Sequence, residues 1–317
     1  MKEDWSVEKV LELYKLPFSE LIYKAQTIHR NSFNNPHAIQ ISMLLSIKTG
    51  SCSENCTYCP QSAHYNTGIQ KKPLMDVNDV ISAAKRAKKA GGTRFCLGAA
   101  WRGPRNSKDM TQLCTIISEI KKLGLETCAS LGLLTEEQAA KLKESGLDFY
   151  NHNIDSSPEY YKKLVTTRTF EDRLTTLKHV RKSGMKICSG GIIGLGETFL
   201  DRIKMLVTLA NLDIPPESIP INKLIPIPGT PLENNSSVDS FEFVRIIALA
   251  RILFPNSYVR LAAGRESMSE ELQALCFMAG VNSIFYGEKL LTAKNPNPEK
   301  DDLLFQKLGL EKITCSN

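Results

Sequence analysis

A strand-like run followed by a helical pattern recurs along this chain, and that recurrence limits the fold more than any other feature. Segments rich in β-branched or apolar residues cover 39–47, 94–99, 126–131, 149–154, 186–193, 219–225, 258–262 and 283–286. Between them, apolar residues at helical spacing mark 77–90, 110–123, 136–145, 170–183, 200–212, 241–253 and 270–279. Gly91, Gly124, Gly146, Gly184 and Gly280 each follow a helical pattern, where the left-handed position past a helix end favours glycine. Thr135 and Gln138 have capping-box spacing and mark a helix start. Strands alternating with amphipathic helices predict a parallel sheet, and eight such units predict an α/β (β/α)8 barrel of TIM type. An open doubly wound sheet is the structural alternative.

Helical spacing over 7–14 and 18–29, separated by Pro17, predicts a helical cap. The expected organisation is one domain, with the cap over 1–38, the barrel over 39–292 and a C-terminal extension over 293–317. The extension begins with a loop containing Asn295-Pro-Asn-Pro298 and continues as a short helix near 303–310.

Barrel active sites lie at the C-terminal ends of the strands. The segment after the first strand carries Cys52, Cys56 and Cys59, interleaved with polar residues that core packing does not explain. A structural zinc closes its shell with four protein ligands, and an ordinary iron–sulfur cluster takes four cysteines. A three-cysteine set therefore suggests a 4Fe–4S cluster with one iron left open; zinc or an electron-transfer cluster in a non-catalytic, redox-sensing protein is the alternative. Gly50, Pro60 and Gly68 suit a backbone that must wrap such a group.

The chain has nine cysteines, opens with Met1-Lys-Glu-Asp-Trp5 and shows no apolar leader. The expected compartment is therefore the reducing cytoplasm, where clustered cysteines more often hold metal. No run approaches the roughly 18 apolar residues of a membrane span. A net charge of +6, scattered without interleaved aromatics, argues against nucleic acid.

Of the other six cysteines, Cys114 and Cys276 sit in apolar helical patterns and are expected to pack as small hydrophobes, and Cys315 lies in a polar tail. Cys96, Cys128 and Cys188 each lie within a predicted strand and can point inward. Arg260 stands amid apolar residues on the seventh strand, where a buried charge requires a partner. That partner is either a carboxylate or an anionic cluster held by the three thiolates. On the fourth strand, a period of two places Asn151, Asn153 and Asp155 on one face, and His152, taken as structural, on the other. These polar groups either meet small ligands or form an internal network.

The spacing C-x3-C-x2-C resembles the radical S-adenosylmethionine (SAM) superfamily. That resemblance implies that the open iron binds SAM and that its reductive cleavage yields a deoxyadenosyl radical able to break an unactivated C–H bond. Tyr58 resembles the residue beside the adenine, although a loop aromatic packed on the rim fits as well. Over essentially the whole chain, the runs Thr93–Trp101, Tyr150–Asp155, Cys188–Glu197 and Tyr258–Arg265 resemble the biotin synthase family. The resemblance implies a 2Fe–2S cluster on Cys96, Cys128, Cys188 and Arg260, serving as sulfur donor for insertion between C6 and C9 of dethiobiotin. It also assigns Asn151 and Asn222 to dethiobiotin, and Asn153, Asp155, Gly98 and the turn of Gly190, Ile192 and Gly194 to SAM. A flavodoxin-type reducing system, iron–sulfur assembly machinery and a homodimer are the implied partners. Lipoyl synthases and methylthiotransferases would require a second closely spaced cysteine triad, and the chain has none.

Overall fold

Alternation along each strand sends one set of side chains to the helices and the other to the barrel axis. In the computed structural model, which describes residues 4–313, β1 (Ala38–Lys48) pairs with β2 (Arg94–Ala99), then β3 (Glu126–Ser130), β4 (Phe149–Asn151) and β5 (Lys186–Cys188) follow in order. Both β5 and β6 (Gly191–Ile193) pair with β7 (Ser218–Lys223), which leads to β8 (Tyr258–Leu261) and β9 (Ser283–Phe285). The β9 strand pairs back onto β1, all in parallel, so the ring closes and the open-sheet alternative is excluded. With β5 and β6 as two halves of one strand, this is the eight-stranded barrel.

Ile39, Ile41, Phe95, Leu97, Ala129, Tyr150, Ile187, Ile219, Ile221, Val259, Leu261 and Ile284 belong to the main apolar cluster between sheet and helices. The alternate positions, Gln40, Ser42, Arg94, Cys96, Cys128, Cys188, Arg260 and Ser283, are buried but outside that cluster. These strands thus turn a cluster of polar and thiol side chains towards the barrel axis.

The predicted strand 186–193 is interrupted at Ser189–Gly190 but stays in register, with Cys188 opposite Ser218 and Gly191 opposite Ile221. Pro220 in the gap has no N–H to donate to a ladder. The Gly190 carbonyl instead accepts from the Ile154 and Asp155 amides, at 3.1 and 3.2 Å. The fourth strand is shorter than predicted: it ends at Asn151, a single bridge joins Asp155 to Gly191, and Asp155 adopts a left-handed φ of 68°.

The helices α3 (Val77–Lys89), α4 (Ser107–Lys122), α5 (Glu136–Glu144), α7 (Phe170–Lys182), α8 (Phe199–Ala210), α9 (Ser240–Leu253) and α10 (Glu270–Met278) follow the predicted pattern. The Thr135–Gln138 capping box forms, and the five glycines past helix ends all have positive φ. The α6 helix (Pro158–Leu164), absent from the periodicity because it is only seven residues long, starts at an Ser157 N-cap. At the N-terminus, α1 (Val7–Tyr14) and α2 (Phe18–Ser32) pack on α8 and α9. This double cover explains why α9 is buried on nearly every face.

C-terminally, α11 (Pro298–Leu308) starts earlier than predicted, and β10 (Glu311–Lys312) pairs with the start of β1. Arg265 and Asp301 form a buried ion pair that ties α11 to the barrel. Cys276 is fully buried and Cys114 half-buried against the core, while Cys315 lies outside the described residues. Among the described residues, no helix is long and apolar enough to cross a membrane.

Candidate active site

The cysteine loop is shaped by its own backbone before any side chain contributes. Gly50 (φ 70°) and Ser51 (φ 55°) are successive left-handed residues that turn the chain as it leaves β1. Strand-like bridges Thr49–Lys72 and Cys52–Ser62 then close the loop on itself. The Cys52 amide donates to the Gln61 carbonyl at 3.0 Å, and the Cys59 amide to the Cys56 carbonyl at 3.0 Å. The end of α6 and the segment that follows it clamp the loop from outside. There, the Thr57 amide donates to the Leu164 carbonyl at 3.0 Å, and Asn55 Oδ1 accepts from the Thr166 and Thr167 amides at 3.0 and 3.2 Å.

Cys56 is buried, and Cys52 and Cys59 are half-buried. Burial raises all three thiols, Cys59 to about 12, so metal binding must displace their protons. Among the described residues, no three His, Cys, Asp or Glu side chains converge as closely as the shell of a single metal ion requires. A cluster makes a different demand, because its thiolates bind different irons. The donor set fits that demand: three thiols on one loop, with the Arg168 guanidinium 3.3 Å from the Cys56 sulfur.

Deeper in the barrel, Cys96, Cys128 and Cys188 gather with Phe149, Leu44 and Phe285. Cys96 and Cys128 are directly opposite each other across β2 and β3. The Cys128 thiol donates to its neighbours, which pushes it up and draws Cys188 down to about 5, with Arg260 adding positive charge against the cost of burial. Asn151 Nδ2 donates to the Cys188 sulfur at 3.3 Å. Among the described residues, Arg260 has no carboxylate partner. Its Nε donates to Ser283 Oγ at 2.9 Å, its Nη2 to Ser42 Oγ at 2.9 Å and Gln40 Oε1 at 3.2 Å, and its Nη1 stands 3.9 Å from the Cys188 sulfur. Arg94, fully buried, stacks 3.7 Å over the Phe149 ring and gives its Nε to Glu126 at 2.6 Å. Both of its Nη atoms have no hydrogen-bond partner among the described residues. Three thiols, two cations and unspent donors fit an anionic, acceptor-rich group such as a 2Fe–2S cluster.

One cavity of ≈ 270 Å³ lies between the two cysteine sets. Tyr58 and Cys59 border it at the loop; Cys96, Cys128 and Arg260 border it below; Gly98, Asn151, Asn153 and Asn222 line its side. Asn222 is partly committed, since its Nδ2 donates to the Gly191 carbonyl at 3.0 Å and its Oδ1 accepts from the Ala263 amide at 3.1 Å. Asn153 Oδ1 accepts from Asn151 and from the Gly190 amide, at 3.3 and 3.2 Å.

Asp155, Gly190, Ile192 and Gly194 do not line this cavity. The left-handed φ at Asp155 breaks the predicted alternation, so only Asn151 and Asn153 share the cavity face. Asp155 is buried, accepts from Tyr58 Oη at 2.7 Å and pairs with Arg173. Ile192 packs with Tyr58, Cys56 and Cys59, and the Gly194 amide donates to Glu197 Oε1 at 2.9 Å. His152 is buried and held neutral by desolvation, away from the cavity.

A Cβ on Gly190 would stand 2.0 Å from the Pro220 carbonyl oxygen, an approach that backbone cannot yield. Gly190→Ala is expected to lower the melting temperature by about 5 °C or more, because overpacking against backbone typically costs 1–3 kcal/mol. An unchanged melting curve would show that β6 and β7 can separate freely.

Sequence reasoning missed Arg94, Arg168, Arg173 and the Leu290–Ala293 strap over the cavity. Arg94 was detectable, standing two residues before Cys96 on the same strand face; the others come from distant segments with no local signal.

The radical SAM superfamily profile matches residues 46–209, and that of the Biotin and Thiamin Synthesis associated domain matches 220–311. The chain is 66% identical to the biotin synthase of Rickettsia felis over 96% of this chain and 98% of that one. It is 65% identical to that of Neorickettsia sennetsu, over 98% and 95%. In fold it is similar to a methylornithine synthase, with a TM-score of 0.83 at 18% identity, over 99% of this chain and 95% of that one. With cysteines of both sets, Cys59 from one and Cys96 and Cys128 from the other, lining one barrel cavity and this identity over nearly its full length, the chain belongs to the biotin synthase family of the radical SAM superfamily.

Proposed function

We propose that this chain converts dethiobiotin to biotin by inserting sulfur between C6 and C9, with Cys52, Cys56 and Cys59 holding a 4Fe–4S cluster and Cys96, Cys128, Cys188 and Arg260 holding a 2Fe–2S cluster. The observation that carries this reading is the single cavity bordered by Cys59 at one end and by Cys96, Cys128 and Arg260 at the other. When bound, the iron–sulfur groups and SAM supply the one-electron chemistry and the sulfur.

The protein's own contribution is orientation and exclusion of water. Tyr58, anchored through its hydroxyl to Asp155, offers a ring face to the SAM adenine at the mouth. Asn153 spends its carbonyl oxygen on the chain and leaves its amide nitrogen for a ligand. Gly98 brings the barrel backbone close to the cavity, where Leu291 of the strap covers it. Asp155 acts on SAM through Tyr58, and Gly190, Ile192 and Gly194 shape the wall behind. Asn151 and Asn222 are the dethiobiotin contacts, Asn151 also fixing the Cys188 sulfur from which the donor cluster hangs. His152 and the outer cysteines take no part.

The same reading makes the chain one barrel domain with an N-terminal helical cap and a C-terminal extension. It works as a cytoplasmic homodimer served by a flavodoxin-type donor and by iron–sulfur assembly machinery. The test is anaerobic reconstitution with iron and sulfide, followed by incubation with dethiobiotin, SAM and a flavodoxin reducing system. Biotin together with 5'-deoxyadenosine is the expected result; the absence of both would overturn the proposal.

A further inference from the structure

Two buried arginines lie side by side beneath the cysteine loop, and their partners differ in a way that the cavity does not explain. Arg173 has a carboxylate, pairing with Asp155, which in turn accepts from Tyr58 at 2.7 Å. Arg168, on the segment between α6 and α7, has none in direct contact, although its side chain is only 7% exposed. Glu54 is the near carboxylate, yet it stands 3.9 Å from Arg168 Nε. Its oxygens are already taken, Oε1 by Arg102 Nη1 at 3.0 Å and Oε2 by the Thr167 hydroxyl. Arg168 Nε donates to Tyr161 Oη at 3.0 Å, the same oxygen that Arg173 Nε reaches at 3.0 Å. That leaves Arg168 Nη2 aimed at the Cys56 sulfur, 3.3 Å away.

Two neighbouring guanidinium groups repel each other and each loses hydration on burial, so a fold that keeps both requires an anion for each. For Arg168 the nearby carboxylate, Glu54, stands 3.9 Å away and is shared with Arg102, so the acceptor in direct contact is the Cys56 sulfur at 3.3 Å, which carries negative charge once it binds iron. We infer that Arg168 is a positioning residue of the first cluster: it orients the Cys56 sulfur and, through hydrogen bond and charge, favours the reduced state. The inference rests on the assignment of the 4Fe–4S cluster to the triad. Reduction adds one electron from an external low-potential donor, with no bond or proton changed. The added negative charge is shared by the thiolates, so a donor and a positive charge beside one of them stabilise the product and raise the potential.

The test compares the reconstituted parent protein with Arg168→Met and Arg168→Lys, titrating each with dithionite and following the electron paramagnetic resonance of the reduced four-iron cluster. At a given poise, Arg168→Met is expected to show an approximately tenfold lower ratio of reduced to oxidised cluster, a midpoint about 59 mV lower for one electron. Arg168→Lys, which restores the charge without the fork, is expected to recover at least half of that shift. An Arg168→Met midpoint equal to the parent's overturns the inference, even if its melting temperature falls, because a purely structural role does not move the potential. If Arg168→Met takes up no iron, Arg168→Gln, which keeps a donor but no charge, decides: a lower midpoint supports the inference and an unchanged one overturns it. A parent protein with no four-iron signal would instead overturn the triad assignment itself.

Discussion

Replacing Cys56 with alanine is expected to reduce both 5'-deoxyadenosine and biotin formation by at least about a thousandfold, a barrier rise of about 4 kcal/mol. Cys56 is the most buried member of the triad and the one whose sulfur meets Arg168. Its loss removes one of the three thiols on the loop and leaves buried Arg168 with only the more distant Glu54 carboxylate, 3.9 Å away and shared with Arg102. Product quantification after anaerobic incubation, alongside iron and sulfide analysis, provides the measurement. A Cys56→Ala protein retaining a tenth of the parent deoxyadenosine yield would remove Cys56 from the cluster.

The second large effect separates the two cysteine sets. Cys188→Ala is expected to reduce biotin formation by a similar factor while 5'-deoxyadenosine yield stays within about threefold of the parent. Cys188 lies at the barrel axis, drawn down to about 5 and held by Asn151 at 3.3 Å, away from the loop that carries the triad. Its hydrogen bonds and the Arg260 charge favour the thiolate form that binds iron. If the lower set holds the sulfur donor as proposed, its removal takes away sulfur supply but leaves the triad end of the cavity intact. The two products must be measured in the same reaction mixture. Equal loss of both would mean that the lower set also governs SAM cleavage, and undiminished biotin would exclude Cys188 from the donor site.

Both experiments depend on an arrangement that was only partly legible in the sequence. The spacing of Cys52, Cys56 and Cys59 is local, and local spacing survives folding, so the triad was readable directly. The inward direction of Cys96, Cys128, Cys188 and Arg260 was readable for a similar reason, because strand alternation carries over into any barrel built from those strands. Where alternation ends, the reading ended too. Asp155 belongs to the same short run as Asn151 and Asn153, but its left-handed φ turns it away from the cavity and towards Tyr58 and Arg173.

The rhythm of strands and helices alone determined a parallel α/β sheet with the unit count of a barrel, and the cysteine spacing alone suggested an incomplete iron shell after its first strand. Closure of the ring through β9 and β1 was a tertiary outcome, as was the pairing of β10 with the start of β1. The environment of each cysteine set was decided the same way. Arg168 and Cys56 are separated by 112 positions, and Arg260 and Ser42 by 218, yet each pair shares a hydrogen bond. No periodicity encodes such contacts, because they exist only once the ring has closed and the barrel axis has become too dry to leave a charge without a partner.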